Sequence, residues 1–176
     1  MSPEKKVCAH FVIDTDGKMF DLGKFLENEK FLLGAHAGKS VWIKNGHKRE
    51  ALNHCSIGIE LVNLNGNVFA YPEVQLESLY ELLLALKPLC PGLVVAESIV
   101  GHEQIAGFRG KCDPGILFPW DELFHKVYPD QVAPERLPRM SEDEASKLAE
   151  YVALVPSSLK KAPDFWSQLS SDLEKV

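Results

Sequence analysis

Between Pro72 and Lys87 the apolar residues Leu76, Leu79, Tyr80, Leu83 and Leu86 recur every three or four positions, the spacing that gathers side chains on one helix face. Pro72 stands near the start and Pro88 stops the run, so an amphipathic helix is predicted there. Elsewhere the period is two. SIGIELV (56–62) sets Ile57, Ile59 and Leu61 on one face and Gly58 and Glu60 on the other, which predicts a strand with Glu60 opposite the isoleucines. Residues 8–14 and 18–22 are apolar-rich and flank Thr15-Asp16-Gly17, the turn chemistry of a hairpin. After Pro91 and Gly92, LVVAESIVG (93–101) predicts a further strand containing Val94, Val95, Ile99 and Val100, and Pro119 opens a helix over PWDELFHKVY.

The order strand, strand, strand, helix, strand, helix implies an α/β domain, a mixed β-sheet flanked by helices, with both parallel and antiparallel pairs. This domain is assigned to residues 1–128. From 129 to 176 the composition changes, and Pro134, Pro138, Pro156 and Pro163 separate short charged stretches. Ser141 begins the capping-box pattern SEDE and Asp164 offers a second helix start, so a helical C-terminal extension is expected, packing on the domain or reaching a partner.

At 176 residues the chain suits one domain with an appendage. A formal net charge of −6 and the lack of a basic stripe argue against nucleic acid or an anionic membrane as partner. The opening MSPEKKVCAHFVID has no apolar signal core, and no later run is long enough to span a bilayer, so a cytoplasmic location is the default expectation, with export by another route left open. Cys8, Cys55, Cys90 and Cys112 form no CxxC pair, which points to reduced, mostly buried thiols rather than a disulfide scaffold or zinc ribbon.

The segment IVGHEQIAGFRGKCDPGILFPW (99–120) holds the densest chemistry, with His102, Lys111 and Asp113 between the strand-like run and a helix start. An imidazole and a carboxylate suit zinc, and a lysine can offset developing negative charge, the parts of a metal-assisted hydrolase. Two ligands do not complete such a site, since catalytic zinc commonly has three from protein. Read alone, a histidine such as His102 is more often structural, and Glu60 reads as an ordinary solvent-facing strand residue.

Four segments in order, CAHFVIDTDGKMFDL, GAHAGKSVW, NHCSIGIELVN and VGHEQIAGFRGKCDPGILFPW, together reach from Cys8 to Trp120, about two-thirds of the chain. In this combination the chain resembles the zinc-dependent N-acetylmuramoyl-L-alanine amidase family of type 2, related to phage lysozyme-type amidases and peptidoglycan recognition proteins. The resemblance implies that family's fold, a Zn2+ cofactor, and hydrolysis of the amide between N-acetylmuramic acid and L-alanine in peptidoglycan or muropeptides. It implies His102 and Asp113 as metal ligands, Lys111 as the lysine that stabilises the transition state, and Glu60 as the general base for water. His36, in AHAG, corresponds to a histidine near the substrate groove, where it contacts muropeptide or is hydrogen-bonded within its loop; Trp42 lines the groove beside it. His10 matches a family histidine that is not a ligand, and His47, His54 and His125 read as surface or packing residues.

The sequence departs from the family in three places. Members begin with a central strand ending in the first zinc-ligand histidine, whereas the seven residues before Cys8, MSPEKKV, contain no histidine. The expectation is that this strand lies upstream of Met1 or has been lost, leaving zinc more loosely held; His36 or His10 as a substitute ligand has no pattern behind it. Cys112 stands one place before Asp113, and adjacent extended residues point opposite ways, so Asp113 is kept as the ligand. The stretch at GFRG (107–110) is one residue longer than in close relatives. The competing expectation is therefore an impaired or inactive module that binds muropeptides without cleaving them.

Overall fold

The computed structural model describes residues 9–23, 26, 33–44, 47–134 and 136. The helices expected from Ser141 and Asp164, and Cys8, lie outside the described residues.

Strand β1 (Phe11–Ile13) is the centre of a three-stranded sheet, between β2 (Met19–Asp21) and β5 (Ile59–Leu61). It pairs antiparallel with β2 (Met19–Asp21), Val12 opposite Phe20, through the expected turn. Gly17 closes that turn at φ +83, a left-handed backbone that glycine adopts without steric cost, and its N–H donates to Asp14 O at 3.0 Å. On the other side β1 runs parallel to β5 (Ile59–Leu61), Val12 opposite Glu60. Both pairings of the mixed sheet are thus present. Period-two alternation holds as well: Phe11 and Ile13 are fully buried, Ile59 and Leu61 half-buried, and Glu60 exposed.

Helix α1 (Glu73–Leu86) lays Leu76, Leu79, Leu83 and Leu86 against Phe11 and Ile13. Each such buried side chain contributes about 1.5–3 kcal/mol. One polar residue shares this interface. Gln75, fully buried, donates from Nε2 to Ile13 O at 2.9 Å and Val62 O at 3.0 Å, tying the helix to the ends of both parallel strands. Pro119 precedes the last described helix, here α3 (Trp120–Val127), whose Leu123, Phe124 and Val127 close the same core.

The sequence pattern fails in two places. The run 93–101, which predicts a strand, winds instead into 3₁₀ turns at Pro91–Val94 and Ala96–Ser98. Its backbone groups find side chains rather than a neighbouring strand: Tyr128 Oη donates to Leu93 O, Gln131 Nε2 to Val94 O, and Ala96 N to Gln131 Oε1, at 2.7, 2.7 and 2.8 Å. Conversely, β3 (Val41–Lys44) and β4 (His47–Glu50) form an unforeseen antiparallel hairpin. All of β4 is exposed and polar, so no hydrophobic alternation announces it. The described cysteines are free thiols as expected but less buried than expected, with Cys90 buried, Cys112 half-buried and Cys55 exposed. Among the described residues no helix is long and apolar enough to cross a membrane.

Candidate active site

His102 is the first residue of a short helix, α2 (His102–Ala106), not the end of a strand. Gly101 before it is extended, and its N–H is held by the Gln104 side chain. A side chain at 101 would stand 2.6 Å from Pro114 Cδ, so the glycine lets the loop carrying Asp113 close over the helix start. Glu103 N donates to Asp113 O at 3.0 Å, and His102 Nδ1 meets Asp113 Oδ2 at 2.9 Å. The imidazole is mostly covered, 18% exposed, while the carboxylate is 60% exposed. Desolvation pushes the Asp113 carboxyl up, but the hydrogen bond and charge of His102, with the charge of Lys111, bring it below its ordinary value.

Cys112 Sγ receives a contact from Asn67 Nδ2 at 3.7 Å, while its neighbour Asp113 meets His102. Burial is the main cause of the raised Cys112 thiol pKa. Burial likewise pushes the Glu103 carboxyl up to about 7.

His36 is hydrogen-bonded within the fold. Its Nε2 lies 2.7 Å from Ser56 Oγ, and that hydroxyl donates to Leu52 O at 2.7 Å. The serine's proton is thereby committed, so Nε2 carries the hydrogen and Nδ1 is the bare nitrogen. Burial, then the charges of His10 and His102, lower the His36 pKa to about 4 and keep the ring neutral. His10 packs edge-on at 5.0 Å between ring centroids and accepts from Gly58 N at 3.0 Å, a structural role. His47, His54 and His125 are exposed.

Residues with no sequence signal of their own fix this half of the site. Asn53 Oδ1 accepts from Ala37 N at 2.7 Å, and Arg109 donates to Lys39 O at 2.7 Å, holding the AHAG loop between them. Ser56 was legible only as the first letter of a strand.

His36, Trp42, Glu60, His102, Lys111 and Asp113 are among the residues bordering one extended cavity of about 1680 Å³ that also reaches core side chains such as Leu83 and Leu86; of the six, His102 and Asp113 meet at hydrogen-bond distance. Zinc asks for nitrogen and oxygen donors at about 2.0–2.2 Å, which sets two tetrahedral ligands roughly 3.3 Å apart. The separation of His102 Nδ1 from Asp113 Oδ2 fits such a pair with slight opening. Among the described residues, no group of three histidine, cysteine, aspartate or glutamate side chains converges to hold a metal ion. The described residues thus offer a pair and not the three protein ligands that catalytic zinc commonly takes.

A family model described as N-acetylmuramoyl-L-alanine amidase matches residues 2–116. The chain belongs to this amidase family. Over 96 residues, 52% of the chain and 33% of the relative, it is 38% identical to the N-acetylmuramoyl-L-alanine amidase AmiD of Escherichia coli (strain K12). A solved structure of the E. coli AmiD in complex with the substrate anhydro-N-acetylmuramic acid-L-Ala-D-gamma-Glu-L-Lys superposes with a TM-score of 0.58 and 24% identity, covering 87% of this chain and 56% of that one. That likeness shows the amidase fold, a mixed sheet with flanking helices. The chain spans between a third and just over half the length of these relatives.

Proposed function

We propose that this amidase-family chain hydrolyses the amide between N-acetylmuramic acid and L-alanine in muropeptides, with zinc held by His102 and Asp113. The observation that carries the reading is the 2.9 Å approach of His102 Nδ1 to Asp113 Oδ2 in a cleft that also takes Glu60 and Lys111. When bound, zinc supplies Lewis-acid polarisation of the carbonyl and a lowered pKa of water.

This chain's own residues do the rest. The Glu60 carboxylate accepts the proton of the attacking water and returns it to the alanine nitrogen as the C–N bond breaks. The exposed Lys111 ammonium offsets the negative charge gathering on the former carbonyl oxygen. His36, neutral and held by Ser56, and Trp42 form the wall on which the muropeptide rests. That AmiD was solved with an anhydro-muropeptide supports the same substrate class here.

The test is incubation of the purified protein with zinc and an anhydro-muramyl tetrapeptide or tripeptide, followed by mass spectrometry. Release of free peptide is expected. Binding without release, unaffected by chelator and by His102→Ala, would instead establish a non-catalytic muropeptide-binding module, and neither binding nor release overturns both readings.

A further inference from the structure

The two members of the His102–Asp113 pair are held in place by different means. His102 is fixed by burial at a helix start, whereas the Asp113 side chain is largely solvent-exposed and lies in an irregular segment, so packing does not set its position. Besides the Glu103 N–Asp113 O bond on its own backbone, what restrains it is the neighbouring loop after β5. Asn63, Asn65 and Asn67 form a chain of side-chain turns there, Asn65 N donating to Asn63 Oδ1 at 2.9 Å and Asn67 N to Asn65 Oδ1 at 3.0 Å. This stiffened loop grips the residues directly after Asp113. Tyr71 Oη donates to Pro114 O at 2.7 Å, Ile116 N to Asn67 Oδ1 at 3.1 Å, and Leu117 N to Gly66 O at 3.0 Å.

The two backbones approach so closely that a Cβ on Gly66 would overlap Pro114 O, and Gly115 faces Gly66 at φ +92. Tyr71 is itself anchored, its ring packed edge-on against the buried Phe118 at 5.4 Å. Its phenol is thus a rigid post, and the carbonyl it holds is one residue from the carboxylate.

We infer that Tyr71, with Asn67, is a positioning residue that holds Asp113 in the pose where its carboxylate meets His102. The inference rests on the reading of His102 and Asp113 as zinc ligands. Groups hydrogen-bonded directly to metal ligands typically govern affinity by 10- to 100-fold; Tyr71 and Asn67 act one and three residues beyond Asp113, which places them at the lower end of that range.

Tyr71→Phe keeps the ring against Phe118 and removes only the hydroxyl, and Asn67→Ala removes the second grip independently. In chelator competition each variant is expected to bind zinc about tenfold more weakly than the parent. In the zinc-free proteins, the ¹⁵N resonance of His102 Nδ1 is expected to lose the signature of its hydrogen bond to Asp113. Parent-like affinity and an unchanged His102 resonance, even with a lowered melting temperature, would show a purely structural brace and overturn the inference. If the parent itself binds no zinc, the metal reading fails separately, and the His102 resonance alone decides: loss of the signature in Tyr71→Phe upholds the positioning role, and an unchanged spectrum overturns it.

Discussion

Gly58 backs directly onto the His36 side chain, so closely that a Cβ at position 58 would overlap its Cβ methylene and ring Cγ. The same glycine donates its N–H to His10 Nδ1. One residue of the SIGIELV strand start therefore sets the position of both histidines on this wall of the cleft. Gly58→Ala should displace His36 from Ser56 and destabilise the fold by about 1–3 kcal/mol, the usual cost of overpacking. Thermal denaturation and muropeptide affinity measured together check this; an unchanged melting temperature and affinity would remove Gly58 from the argument.

Glu60 stands exposed in the middle of β5, with no hydrogen bond to His102 or Asp113 among the described residues. Glu60→Ala should lower kcat by about 10²–10⁴-fold, the contribution of a general base. Its zinc content, measured by plasma mass spectrometry, should equal that of the parent. Loss of zinc along with activity would make Glu60 part of the metal site instead.

Metal removal should act through the opposite residues. Prolonged dialysis against a strong chelator is expected to abolish peptide release, and added zinc to restore it. His102→Ala should lose zinc and turnover together, without restoration at the same zinc concentration. A chelated protein that stays fully active would end the zinc reading.

The pH dependence of stability carries the mark of His36. Its folded pKa, about 4, lies below the ordinary 6.5 because burial, and then the charges of His10 and His102, disfavour the protonated ring. The unfolded chain therefore takes up this proton first as pH falls. The stability associated with neutral His36 is full above about pH 6.5 and is lost progressively toward pH 4. Denaturant midpoints of the zinc-free parent should fall across that window more steeply than those of His36→Gln; parallel curves would contradict the assignment.

Gln131 replaces a strand partner for the run 93–101. Gln131→Ala leaves Ala96 N and Val94 O without their side-chain partner and should cost about 1–3 kcal/mol. Amide hydrogen exchange should quicken at Ala96 first. If exchange there is unchanged, another group satisfies this backbone.

The histidine, lysine and aspartate of the 99–120 segment stood out as a chemical cluster to which only the family resemblance gave roles, and the helix over 73–86 was legible because five apolar residues keep its period. The β3–β4 hairpin was not, since Val41–Lys44 pairs with a strand that is polar throughout. Ser56, Tyr71 and Asn67 were invisible for another reason: each is an ordinary residue whose role comes from a partner distant along the chain, such as Pro114 for Tyr71.

By itself, the sequence determined where the chain can coil or extend and which chemical groups it offers, because side-chain periodicity and turn residues act over a few positions. The strand-like run 93–101 shows the limit of that reach. Whether an apolar run becomes a strand depends on which groups its backbone can bond, and here Tyr128 and Gln131, folded back from the end of α3, supply them first. Tertiary structure likewise chose the pose in which the Asp113 carboxylate meets His102. That choice depends on how the loop is held, and the residues holding it become neighbours only when the chain has folded.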